Sequence, residues 1–168
     1  MKGLILAITL ICAVATTASA QKYVVVDSEK IFRSQADYTQ ALSSLDALAK
    51  EYQTKVDAKF AEVESLYNAY MAQKASLSAV ARNEREQAIL NREKAAAEYQ
   101  ESVFGNDGVM MKKRIELIQP IQNRIFTAIE KYAESIGCDL VLDKASNPSL
   151  LYNSKAVDHT QAVIESLK

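Results

Sequence analysis

KYVVVD, residues 22–27, and CDLVLD, residues 138–143, decide how this chain is read. Each is a short run of β-branched and aliphatic residues closed by an aspartate, the composition of a strand that ends in a turn or a helix cap. Between them lie residues 28–137, almost entirely helix-forming in composition. Residues 22–104 hold neither glycine nor proline. Globular helices average about 11–12 residues, so a stretch of this kind implies rods. Two strands at the ends of a helical insert can pair only if the insert doubles back. The pattern therefore predicts an α+β, mostly α, fold: a small β body from which a long antiparallel helical hairpin projects.

The interior supports a hairpin. After VVVD, Asp27 or Ser28 can cap a short helical turn carrying Ile31 and Phe32. From Asp37 onward, Leu42, Leu45, Leu48, Tyr52, Val56, Phe60, Val63, Leu66/Tyr67 and Tyr70 recur at steps of three and four, one stripe of a helix. The midpoint between the strands falls near residue 83, and residues 74–86 hold the turn; Ser78 is the expected cap, within a turn over 76–79, with Asn83 and Glu86 as a rival capping pair. FGNDG, residues 104–108, marks a kink or break in the returning helix, since two glycines flank turn-forming Asn-Asp. Gly105, Gly108 and Pro120 are the expected flexing points of the arm, Pro120 because it lacks a donor. Alanine at Gly105 or Gly108 is expected to cost little if neither has a positive φ. Gly137 reads as a helix C′ residue. Leu150–Tyr152 reads as a third short strand after the Asn147-Pro148 turn, and a last helix is expected over about Thr160–Leu167, capped by Asp158 or Thr160.

Residues 1–20 read as an export signal: Lys2, an apolar run over 4–14, then Ala18-Ser19-Ala20 with cleavage before Gln21. The mature chain is one unit, with residues 21–36 and 137–168 as its β-containing body and 37–136 as its arm. Removing Lys2 leaves nineteen Lys/Arg against 21 Asp/Glu, a balance that argues against a nucleic-acid partner. Lys112-Lys113-Arg114 is the only dense basic run and reads as a solvated helix face. Cys138 alone survives cleavage, which excludes an intramolecular disulfide; it is expected to lie buried and inert in the second strand.

No enzyme signature is present. The single histidine, His159, sits beside a helix cap, and no G-x-S-x-G, H-E-x-x-H, paired cysteines or P-loop occurs. Neither catalytic residues nor a cofactor nor a metal site is expected. What remains is surface. Phe60, Tyr67, Tyr70, Met71, Leu77, Tyr99, Val103 and Phe104 are the candidate client-binding residues of the arm, because a two-helix rod buries one stripe per helix and leaves adaptable apolar groups outside. Three short strands make a poor core for one chain. Val24, Val25, Val26, Ile31, Phe32, Val141 and Leu142 are therefore expected to be buried by self-association.

The opening VVVDSEKIF and the ending DLVLD…LLY…VDHTQAVI resemble the Skp/OmpH family of periplasmic chaperones, and the likeness runs along nearly the whole mature chain. FGNDG and LIQPIQNRI resemble the subgroup found in Bacteroidetes-type bacteria. The resemblance implies a homotrimer with a β body and three helical arms around a cavity, holding unfolded outer-membrane proteins in the periplasm without ATP. The best-known members are strongly basic; this chain is not, which argues against lipopolysaccharide or anionic-membrane contact. The competing expectation is a coiled-coil adaptor of the envelope with one fixed protein partner, which calls for an uninterrupted heptad and a dedicated docking face.

Overall fold

The computed structural model describes residues 22–168; the expected export signal lies outside them. Strand β1 (Tyr23–Val26) leads into a short helix α1 (Ser28–Arg33) and the long helix α2 (Ala36–Gln73). Two helices return, α3 (Ala79–Phe104) and α4 (Val109–Ser135), followed by strand β2 (Leu140–Asp143), a 3₁₀ turn (Lys155–Val157) and α5 (Thr160–Ser166). The strands pair in parallel, with Tyr23 opposite Leu140 and Val26 opposite Asp143. Parallel strands require a crossover. Here the crossover is the whole hairpin, which answers why matching strands stand so far apart.

Each boundary has local chemistry behind it. Asp27 caps α1 by accepting from the Lys30 amide at 3.1 Å. Ser78 caps α3 by accepting from the Ala81 amide, so the tip turns where expected and the Asn83 alternative is unused. Gly137 ends α4 at φ +61°. Its amide reaches the Glu134 carbonyl, and the Cys138 amide reaches that of Ala133, the paired bonds of a Schellman cap. Helix α4 runs through Pro120 without interruption.

FGNDG is a break, not a kink. Gly105 donates to the Glu101 carbonyl at 2.8 Å, Gly108 to that of Gly105 at 2.9 Å, and Lys112 to that of Gly108 at 3.2 Å. Neither glycine has a positive φ. Yet a Cβ on Gly105 would stand 2.5 Å from the Glu101 carbonyl oxygen, and one on Gly108 2.5 Å from that of Val103. The expectation that alanine costs little here is overturned by close backbone approach. Chain lengths show what the break absorbs. Between the Tyr70–Glu86 and Asp37–Arg124 contacts, α2 uses 33 residues and the return path 38. The surplus of five nearly equals the four non-helical residues 105–108, so the break takes up about one turn that the facing helix does not match.

The core lies where the arm joins the body. Val26, Ile31, Ala41, Ile121, Ile125 and Val163 are buried together, with Phe32, Tyr38, Ile129, Val141 and Ile164 packed around them. Val24, Val25, Val26 and Ile31 are thus buried within one chain, contrary to the expectation that self-association must cover them. For Val26 and Ile31, the bases of α2 and α4 supply the missing cover. Residues 150–152 form no strand; the outer neighbour of β1 is instead a single bridge from Val25 to Asp158, closed by the His159 amide on the Val25 carbonyl at 2.9 Å. Cys138 precedes β2 rather than lying in it and is only partly buried, its thiol facing the Lys22 and Leu140 carbonyls.

A polar cluster locks the strand ends. Asp143 accepts from the Ser28 amide and hydroxyl at 3.0 and 2.7 Å. Lys144 donates to Asp158 at 2.6 Å, and the Thr160 hydroxyl accepts from the Asp27 amide at 2.9 Å while donating to Asp158. Asp27 and Asp143 are therefore caps and turn formers, as their positions suggest. His159 Nδ1 lies 2.7 Å from the Tyr132 hydroxyl, tying α5 to α4.

Candidate functional site

Along the arm, α2 faces α3 over its distal part and α4 over its proximal part. The stripe between them is thin: Val56, Tyr70, Ala96 and Val103 are its buried members. At the tip, Tyr70 donates to Glu86, and Lys74 lies over the Tyr70 ring. The Glu86 carboxylate raises the Tyr70 pKa and keeps the phenol protonated. Arg92 pairs with Glu62 farther down, and Lys59 lies over the Tyr99 ring. Polar clasps on the flanks thus do much of the joining.

Of the arm residues singled out by sequence, Tyr70 (4% exposed) and Val103 (2%) are used up in the helix contact. Leu77 and Tyr99 are partly covered. Phe60, Tyr67, Met71 and Phe104 stand exposed, as do Leu66, Met111 and Ile115, which the candidate set leaves out. Met111 and Ile115 follow the break, which displaces the apolar stripe of α4 relative to α2, and periodicity alone does not register that shift.

Around the break, Leu45, Phe104, Gly105, Met110, Met111 and Arg114 line a groove of about 260 Å³. A second, of about 350 Å³, continues along α4 from Met111 and Arg114 to Gln122 and Asn123. The other open apolar surface is on the body. Strand alternation puts Tyr23, Val25, Leu140 and Leu142 on the face away from Val24 and Val26. Leu150, Tyr152 and Val157 stand by that face. Leu151 is 93% exposed and Tyr152 82%, and the far edge of β2 has no neighbouring strand among the described residues. Of the sequence-based assembly set, Leu142 and the already buried Val25 lie on this face; Phe32 and Val141 pack on the internal core.

Among the described residues, no three His, Cys, Asp or Glu side chains gather as a metal site, and no helix is long and apolar enough to cross a membrane.

A small two-stranded body carrying a long, thinly packed helical hairpin defines the class of fold. The chain belongs to the OmpH-like outer membrane protein family, whose sequence profile matches residues 22–167. Its fold is similar to that of a Caulobacter crescentus CB15 protein described as a candidate outer membrane chaperone, OmpH-like, solved by crystallography. The TM-score is 0.65 at 13% identity, covering 89% of this chain and 85% of that one. No curated protein sequence matches the chain significantly.

Proposed function

We propose that the chain is an exported, periplasmic holdase that binds unfolded outer-membrane proteins between helical arms, without ATP, and keeps them from aggregating. One observation carries this reading: Phe60, Tyr67, Met71, Phe104 and Met111 are exposed along both sides of a rod that has no other element to cover them. Such dispersed, adaptable groups bind many unfolded sequences weakly rather than one partner tightly. The structural relative's description as an outer membrane chaperone supports the same reading. Assembly is a homotrimer formed through the body. Its contact surface is the open sheet face, with Tyr23, Leu140, Leu142, Leu151 and Tyr152, instead of the internally buried valines.

The test dilutes a urea-unfolded outer-membrane barrel protein into buffer with the purified mature chain, without nucleotide, and follows light scattering. Suppressed scattering at near-stoichiometric trimer is expected; unchanged scattering overturns the reading. Sedimentation equilibrium reports the assembly, and a Leu151→Asp/Tyr152→Asp variant is expected to run as a folded monomer.

A further inference from the structure

The two grooves beside the break share Met111 and Arg114 and so form one continuous channel. It follows α4 from Met110 to Asn123, about 20 Å at 1.5 Å per residue. An extended chain rises about 3.3 Å per residue, so the channel accommodates roughly six residues of extended polypeptide. Its floor is apolar, with Met111 and Ile115 exposed and Ile118 partly covered. Gln119, Gln122 and Asn123 line its far part, and none of these amides is hydrogen-bonded to another group among the described residues. An extended backbone needs such donors and acceptors, because it satisfies none of its own.

Charge selects among extended segments. Lys113 is neutralised by Glu116 at 2.6 Å and Arg124 by Asp37 at 2.8 Å. Arg114 makes no ion pair among the described residues, although it stands at the junction of the two grooves. A free guanidinium flanked by apolar floor complements a carboxylate flanked by apolar side chains.

We propose that this channel is the arm's principal client-docking site, and that it takes an extended, unfolded segment in which an Asp, Glu or terminal carboxylate sits among apolar residues. The proposal rests on the holdase reading and narrows it: the FGNDG break shapes a groove instead of serving only as a flexing point, and capture starts at mid-arm instead of along its whole length.

Three fluorescent peptides test it by anisotropy against the full mature chain. All alternate Leu/Phe with polar residues; one carries Asp at two polar positions, one Ser and one Lys. The acidic peptide is expected to bind about three- to fivefold tighter than the neutral one, the range of a partly exposed ion pair, and the basic peptide weakest. Arg114→Gln removes that ranking, so that the acidic and neutral peptides bind the variant equally. Met111→Gln/Ile115→Gln, at exposed positions where glutamine keeps the helix, weakens all three about tenfold, ~1.4 kcal/mol. Leu90→Ser, on exposed α3 surface outside the channel, changes none. Circular dichroism and sedimentation establish that each variant is folded and assembled. An acidic preference that survives Arg114→Gln, or an equal loss in Leu90→Ser, overturns the channel while light-scattering suppression leaves the holdase reading standing. A change of oligomeric state in Met111→Gln/Ile115→Gln overturns it too, by making the groove a contact between copies.

Discussion

The body and the arm bury apolar side chains in different ways. In the body, Ile31, Ile125 and Val163 are fully enclosed, and strands, α1, α5 and both arm bases converge on them. In the arm, some 68 residues from 37 to 104 share five buried positions: Ala41 near the base, then Val56, Tyr70 and Ala96, and Val103, which closes the stripe at the break. The body is a conventional core that happens to be discontinuous in sequence. The arm is held by one seam and by flank clasps such as Arg92–Glu62, and the apolar groups it leaves outside are the surface proposed to hold clients. The difference teaches how apolar surface is divided: most of it is enclosed at the base and left open above it.

The comparison breaks most visibly if a base residue is no more important than a seam residue. Ile125→Ala removes a fully buried side chain from the point where α4, β1 and α5 meet, and is expected to cost about 2–5 kcal/mol. Val56→Ala removes two buried methyl groups from the seam, about 1–2 kcal/mol at ~0.8 kcal/mol per CH₂. Hydrogen exchange reads the difference in kind. Ile125→Ala is expected to speed exchange in both strands and the arm, Val56→Ala only around residues 45–100. Equal acceleration of β1 and β2 in both variants would show that arm and body unfold as one unit.

The break is the next largest effect. At Gly105→Ala and Gly108→Ala, the added methyl meets a backbone carbonyl oxygen at 2.5 Å. Backbone cannot yield as a flexible side chain does, so each is expected to cost about 1–3 kcal/mol. Asn106→Ala, exposed within the same turn, is expected to stay within about 0.5 kcal/mol. Urea denaturation of the three variants measures this. A stabilised Gly108→Ala would mean that the turn opens readily and that the glycines serve flexing.

What could be read from sequence divides along the same line. Asp27, Ser78 and Gly137 were legible because capping is local: a side chain or a glycine meets amides within a few residues of itself. The break at 104–108 was legible for the same reason. The demand for glycine within it was not, because φ is ordinary there and the constraint is the approach of another turn's carbonyl. Burial of Val24–Val26 was misjudged by weighing only the strands as core; Ile121 and Ile125 belong to the arm by sequence and to the body by packing. Leu150–Tyr152 has strand composition, yet Leu151 and Tyr152 stand exposed on the face proposed for assembly. Composition records that a residue is apolar, not whether its cover comes from its own chain.

The smallest effect concerns pH and sharpens the contrast between buried and exposed charge. The hydrogen bond from Lys144, followed by that from the Thr160 hydroxyl, holds the Asp158 carboxyl well below its ordinary value. Asp143 is also lowered: burial opposes ionisation there, and hydrogen bonds from Ser146 and Ser28 outweigh it. A carboxylate with a depressed folded pKa adds stability that is complete above the unfolded value of about 3.9. That stability is lost as pH falls toward the folded value, because the unfolded chain takes up protons first. Lys144 mirrors this, since the Asp158 hydrogen bond raises its pKa; its share is complete below about pH 10.4 and is lost at higher pH. The arm's ion pairs, such as Lys50–Asp46 and Lys55–Glu51, are exposed, and solvent screening leaves them little stabilising effect. Acid should therefore loosen the body more than the arm. Asp158→Asn is expected to cost about 1 kcal/mol at neutral pH and to flatten the fall of the urea midpoint between about pH 5 and pH 2, Asp143 supplying the slope that remains. Asp46→Asn should leave the curve unchanged within error. If the two variants give the same acid limb, the Lys144–Asp158 lock is no stronger than a surface pair, and the body's advantage over the arm is entirely apolar.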